Sequence, residues 1–213
     1  PGGKTRACKI LDQILQDNFI ISDFDAILSP FFGGGSFEFY LQNKYNLNIL
    51  ANDKFTPLYN FWDVCKYNKK DLCSILYKYI DKVSKDTFIQ MRQQIMNESN
   101  IKQATLFFII NRCSFSGATL SGGFSLDASK NRFTKSSIDR INKLNLDKLT
   151  IHNLDFEQFI NYNLNKNNFI FLDPPYYLEK KSCLYGNNGN MHKTFNHIKL
   201  YECISTKKNW LMT

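Results

Sequence analysis

Long apolar runs are missing from this chain. The longest, Ala104 to Ile110, falls far short of the roughly 20 residues that cross a bilayer. The opening residues, Pro1-Gly2-Gly3-Lys4-Thr5-Arg6, lack the apolar stretch and cleavage site of a signal peptide. No Met precedes them, so the start reads as cut. Among the six cysteines (Cys8, Cys65, Cys73, Cys113, Cys183, Cys203) there is no Cys-x-x-Cys pair, and the three histidines (His152, His192, His197) sit near no cysteine cluster. That spacing argues against a zinc or other metal site, and a disulfide scaffold is implausible at this length. Reduced thiols in a soluble, cytoplasmic protein with no membrane partner are therefore expected. No internal repeat is visible, and with only 22% charged residues the composition is not that of a disordered tail.

What the chain does contain is 43% hydrophobic and 15% aromatic residues over 213 positions. That is enough to bury a proper core in one to one-and-a-half domains of ordinary size. A formal net charge of +8 favours a polyanionic partner. The plainer explanation is an AT-rich coding sequence that fills the surface with Lys and Asn. It accounts for the stretches Asn161 to Asn168 and Asn187 to Asn190, but it does not require the positive excess.

Ala7, Ile10, Leu11, Ile14 and Leu15 carry helical spacing, which predicts a first amphipathic helix from near Thr5. Asp25 to Phe31 is short, apolar and stopped by glycines, and reads as a buried strand. A helix over Phe37 to Leu41 follows, then a second strand over Asn48 to Asp53. Leu58 to Cys65 and Leu72 to Val83 look helical. Strand signals return at Leu149 to Leu154 and at Asn168 to Asp173, and Trp210 to Thr213 reads as the start of a further strand. Strands alternating with helices predict a parallel α/β sheet. Residues 86–148 differ: helical sequence over Phe88 to Met96, the apolar run, a Gly/Ser-rich stretch from Ser114 to Ser125, then Lys130, Arg132, Lys135, Arg140, Lys143 and Lys148. They are expected to be an insertion between sheet segments 1–85 and 149–213.

Two places carry chemistry. Phe31-Phe32-Gly33-Gly34-Gly35-Ser36-Phe37 lies between a strand and a helix, where glycines allow a tight turn and leave helix N–H groups aimed at a polar ligand. Asp53 ends the next strand at the position of a ribose-binding carboxylate in nucleoside-cofactor folds. Three glycines alone are often a flexible turn, and Asp53 could instead cap the following helix; together they favour an adenosine-containing cofactor. The run is not Gly-x-Gly-x-x-Gly, so a dinucleotide is disfavoured. The second place is Asp173-Pro174-Pro175-Tyr176, directly after an apolar strand. Two prolines stiffen the chain as it leaves the sheet, bringing a carboxylate, a carbonyl and an aromatic ring to the strand's C-terminal edge. That trio suits a planar aromatic amine: two acceptors take its N–H bonds while the ring stacks. The bland alternative is a proline-rich turn with an ordinary Asp cap.

Asp173-Pro174-Pro175-Tyr176 resembles the catalytic Asp-Pro-Pro-Tyr of DNA amino-methyltransferases, and Phe31 to Ser36 is similar to their methionine-moiety loop. Gly2-Gly3-Lys4 resembles the N-terminal Gly-Gly-Lys of the Dam-like, alpha-class adenine-N6 enzymes. Asn111 to Gly117 resembles that class's recognition stretch, with Ser116 where Asn is frequent. Leu154-Asp155-Phe156 and Thr194-Phe195-Asn196-His197 resemble its adenine-lining and downstream elements. The resemblance covers nearly the whole chain. It implies a Rossmann-like class I methyltransferase sheet, its catalytic domain split into 1–85 and 149–213 and incomplete at the C-terminus, with a mostly helical target-recognition domain at 86–148. It implies transfer of methyl from S-adenosylmethionine to adenine N6 in double-stranded DNA, with the base flipped out. Asp173, Pro174, Pro175 and Tyr176 would be catalytic. Lys4, Phe32, Gly33, Gly35, Ser36, Asp53, Asp155, Phe156 and Asp173 would hold the cofactor. Asn111, Arg112, Ser116, Arg132 and Arg140 would meet DNA. No metal is implied, and a cognate restriction endonuclease is left open as a partner.

Other readings compete. Gly3-Lys4-Thr5 could end a phosphate-binding loop of an NTPase, although no strand precedes it. The acceptor could be RNA, or cytosine N4. A DNA-binding remnant without activity is a further alternative.

Overall fold

A computed structural model describes residues 4–163, 167–176 and 195–213. Gly2, Gly3, Cys183, the Asn187 to Asn190 stretch, His192 and Thr194 lie outside the described residues. The chain divides into two compact units. One takes the described residues of Gly2–Lys54, Asp147–Pro174 and Asn196–Thr213, and the other takes those of Phe55–Leu146 and Pro175–Phe195.

The first unit is built on a five-stranded sheet: β1 (Ala26–Ser29), β2 (Asn48–Asn52), β3 (Leu149–His152), β4 (Asn168–Leu172) and β5 (Trp210–Met212). Its order is β3-β2-β1-β4-β5, and every pairing is parallel. β1 and β4 are buried along their whole length, as a central parallel strand must be when both faces are covered. Helices α1 (Cys8–Asn18) and α2 (Ser36–Tyr45) supply one cover. Leu11, Leu15, Phe37 and Leu41 from these helices join Ile27, Phe169 and Phe171 from the strands in one core cluster. The Phe37 and Phe171 rings are 4.8 Å apart, a contact that fixes α2 against β4 as well as β1.

From β1 the chain runs through β2 to β3 on one side, then crosses back from β3 to β4 on the other side of β1, so the strand order reverses at β1. Crevices outside the carboxyl ends of strands at such a reversal are where open α/β sheets bind ligands. The glycine turn follows β1 and Asp173 follows β4, so the topology puts both at that point.

The second unit contains, among the described residues, α3 (Thr56–Tyr67), α4 (Lys69–Tyr77), α5 (Lys85–Gln94), α6 (Asn100–Cys113), α7 (Leu126–Arg132) and α8 (Lys135–Lys143). The apolar run forms the middle of α6, and Ala104 to Ile110 are all buried. Phe61 of α3 stacks on Phe108 of α6 at 5.7 Å, and Phe133 meets Phe108 at 6.2 Å. Ser84 and Thr134 begin α5 and α8 with reciprocal capping boxes, each satisfying N–H groups that have no partner within the helix. The sheet unit is completed by α9 (Phe156–Tyr162) and α10 (His197–Ile204). No described helix is long and apolar enough to cross a membrane.

Candidate active site

The site in the sheet unit is a row of strand ends. After β1 the chain turns through Pro30 to Gly35 before entering α2. Gly35, just ahead of that helix, has φ +63°, and a Cβ there would stand 2.5 Å from the Phe32 ring and 2.8 Å from the Phe39 ring. Only glycine fits, and the turn is closed by Gly35 N–H donating to the Phe32 carbonyl at 2.9 Å. Gly33 and Gly34 are the opposite: among the described residues nothing stands within 4 Å of where a Cβ would be. The turn therefore leaves an open cradle over two glycines and packs tightly on the third.

Asp53 borders that cradle. Its carboxylate accepts the Gly33 N–H at 3.0 Å, which ties the end of β2 to the glycine turn. Asn52, just before it, is almost fully buried; its amide donates to the Pro30 and Leu154 carbonyls at 3.1 Å each and accepts the Leu154 N–H at 2.8 Å. One side chain thus fastens the turns after β1, β2 and β3 together. Beyond β3, Asp155 caps α9 through the Glu157 N–H and pairs with Lys54 at 2.9 Å. Burial pushes the Asp155 carboxyl up, but Lys54 and the Glu157 N–H outweigh it and hold it below the usual carboxylate range. Phe156 is buried and meets the half-buried Phe31 ring at 5.6 Å.

At the end of β4, Asp173 pairs with Lys4 at 3.3 Å and accepts the Thr213 hydroxyl at 3.3 Å. Pro174 follows and is buried. Ser36, first in α2, accepts the Thr5 hydroxyl at 3.3 Å. One turn into that helix lies Glu38, 2% exposed, whose carboxyl accepts the Ser29 hydroxyl at 2.5 Å.

Most residues that the sequence marked for a cofactor are thus gathered at one edge of one sheet: Lys4, Gly33, Gly35, Ser36, Asp53, Asp155, Phe156 and Asp173. Phe32 belongs to the turn, but its ring is 3% exposed and packs on Phe39, so its side chain faces the core. Three participants escaped the sequence reading. Phe31 was quoted only as part of the turn, Asn52 looked like any polar strand end, and Glu38 sat unremarked in a short helix. The apolar setting of Ser29 and Glu38 gives no signal in one dimension.

Pro175 and Tyr176 belong to the other unit, and Tyr176 is 44% exposed. That unit also holds Asn111, Arg112, Ser116, Arg132 and Arg140. The Asn111 amide donates to the Gly117 carbonyl at 3.2 Å and the Thr119 hydroxyl at 3.0 Å. Arg132 donates to the Ser114 and Asn111 carbonyls. Arg112 lies 5.2 Å over the Phe108 ring; burial, with the charges of Arg140 and Arg132, lowers its pKa. Ser116 and Arg140 are exposed. Among the described residues no cluster of His, Cys, Asp or Glu could hold a metal ion.

An all-parallel sheet with a glycine turn at its strand reversal, a carboxylate after β2 and another after β4 is the architecture of a Rossmann-like α/β fold. The D12 class N6 adenine-specific DNA methyltransferase family matches residues 1–213, and the chain belongs to that family. It is also similar to the type II methyltransferase M.MjaIII of Methanocaldococcus jannaschii, at 23% identity over 194 residues, covering 82% of this chain and 66% of that protein. The matched segment thus spans just under two thirds of that relative's length.

Proposed function

We propose that the protein, in its whole form, transfers a methyl group from S-adenosylmethionine to N6 of an adenine flipped out of double-stranded DNA. The observation that carries this is the placement of Asp173 and the open Gly33–Gly34 cradle on either side of the strand reversal, within a family of adenine-specific enzymes.

The residues present fit the cofactor. A cradle with no side chain over two glycines admits close approach of a ligand, Asp53 beside it offers acceptors for ribose hydroxyls, and Lys4 and Asp173 offer charges of both signs. Bound there, S-adenosylmethionine supplies an electrophilic methyl group. Lys4, Gly33, Gly35, Ser36, Asp53 and Asp173 would hold it, with Asp155, Phe156 and Phe31 beside its adenine; Phe32 contributes backbone.

The chain's own part is to make a poor nucleophile competent. An exocyclic adenine amine delocalises its lone pair into the ring. Asp173 and the Pro174 carbonyl accept its two hydrogens and so localise that pair, while Tyr176 stacks on the base. Pro175 stiffens the backbone that presents them. Extrusion of the base costs about a few kcal/mol in lost stacking and pairing, and the basic helical unit would offset it through phosphate contacts. Ser116 and Arg140 are exposed for that purpose. Asn111, Arg112 and Arg132 would act by shaping the loop, with Arg112 also opposite the DNA backbone.

The test is product analysis. DNA incubated with the full-length protein and S-adenosylmethionine should yield N6-methyldeoxyadenosine, and Asp173→Ala should abolish methyl incorporation while binding of the cofactor and the fold are measured separately. An unaffected rate in Asp173→Ala would defeat the assignment.

A further inference from the structure

Glu38 has no role in the mechanism above, and its position is costly. It is 2% exposed, in the first turn of α2, directly behind the strand reversal. A carboxylate so placed normally needs a cation, yet no described Lys, Arg or His forms an ion pair with it. Its partners are the Ser29 hydroxyl at the end of β1 and the N–H groups of its own helix start. Among the described residues, the ionisable groups close enough for their charge to act on it are Cys8 of α1 and Asp173 of the β4 end. Asp173 is itself tied to Lys4. Farther along α1, Asp12 is engaged with Lys44, Tyr40 and Tyr45.

We propose that Glu38 is a positioning residue behind Asp173 which keeps its proton in the free protein and releases it when a cationic ligand group engages the β4 end. This rests on the functional reading above, in which that cation is the sulfonium cofactor. The physical basis is competition between two carboxyl groups in a poorly solvated place. Burial, assisted by the Asp173 charge, pushes Glu38 up to about 7 against the pull of Ser29 and the helix N–H groups. A positive group beside Asp173 cancels the repulsion and favours the ionised form. The O–H bond of Glu38 then breaks, its electron pair stays on the carboxylate, and the proton passes to buffer. Ionised Glu38 in turn strengthens the field that holds the cation, because linkage is reciprocal. Ser29 is the device that makes ionisation possible at all, since its hydroxyl donates to whichever charge develops.

Titration calorimetry of S-adenosylmethionine into the full-length protein, in buffers of different ionisation heat, tests this without any turnover. The wild type should release about half a proton on binding near neutral pH, and a ligand-linked lowering of one pKa unit should tighten affinity about fivefold between about pH 6 and pH 8. Glu38→Gln, which keeps the shape and can still accept from Ser29, should bind with no proton release and with affinity constant to within about twofold. Carbon NMR of the wild-type carboxyls provides the second measurement: one Glu should titrate near neutrality and move to lower pH with ligand. Binding without proton release, a Glu38→Gln variant that keeps the wild-type pH dependence, or a Glu38 resonance titrating in the ordinary range would each overturn the inference. No binding at any pH would instead sink the functional reading, and this inference with it.

Discussion

The glycine turn after β1 and the loop that follows α6 are both rich in glycine and serine, yet Gly33 and Gly34 of the one and Gly122 of the other use that freedom in opposite ways. In the turn, Gly33 and Gly34 leave space that no described residue fills. In the loop, Gly122 is a close-packing residue: a Cβ there would come within 3.1 Å of the Ala118 side chain and the Phe115 carbonyl. The loop is closed on itself by Asn111 to Gly117 and Thr119, by the Thr119 N–H to the Ser114 hydroxyl at 3.1 Å, and by Arg92 to the Gly122 carbonyl at 2.8 Å. Openness at the strand reversal is what the proposed cofactor site requires. Self-satisfaction marks a rigid platform whose exposed residues, such as Phe115 and Ser116, are presented rather than engaged. Identical composition therefore implied different things in the two places, and only the neighbours distinguish them.

The contrast can be broken by substitution. Gly35→Ala carries the largest effect, because a methyl must displace two aromatic rings at a left-handed backbone position; a stability loss of about 3–5 kcal/mol in denaturant melts is expected. Arg132→Ala should cost about 2 kcal/mol by leaving the buried Ser114 carbonyl without its charged donor, and should weaken DNA binding through loop disorder visible in amide exchange. Glu38→Gln should alter stability with a definite pH sign. The folded protein holds that proton more tightly than the unfolded chain does, so the wild type's contribution is complete below the ordinary value of 4.5 and declines as pH rises to about 7. Over that window the wild type should lose on the order of 3 kcal/mol relative to the variant. Gly34→Ala should change stability least, within about 0.5 kcal/mol, since its methyl meets no described atom. It should nevertheless weaken S-adenosylmethionine binding about tenfold or more, equivalent to about 1.4 kcal/mol or more. A Gly34→Ala variant with intact affinity would remove the distinction between the two regions.

Much of the sheet was legible because its strands have apolar centres, and β2 and β4 run directly into Asp53 and Asp173. Asn168 to Leu172 could hardly be anything else, and the alternation with helices gave the parallel pairing. Boundaries were harder where long-range contacts decide them. The helix expected over Phe37 to Leu41 runs on to Tyr45, because Lys44 and Tyr45 are tied at 2.5 and 2.6 Å to Asp12 of α1. The helix expected to reach Val83 stops at Tyr77, and the chain beyond it places Asp81 at φ +59°. The strand expected from Asp25 to Phe31 is confined to Ala26–Ser29, since Phe32 already turns back to donate to the Asn52 carbonyl. At the site, carboxylates that follow strands announce themselves. Glu38 does not, because its meaning comes from Ser29, nine residues earlier, and from Asp173 on a different strand.

The central claim is that Asp173 holds an adenine amine for methylation. Mass-spectrometric identification of methylated nucleosides, from DNA treated with full-length wild type and with Asp173→Ala, tests it most directly. The account predicts N6-methyldeoxyadenosine from the wild type and none above background from the variant. N4-methyldeoxycytidine as the product, or undiminished adenine methylation by the variant, would contradict it.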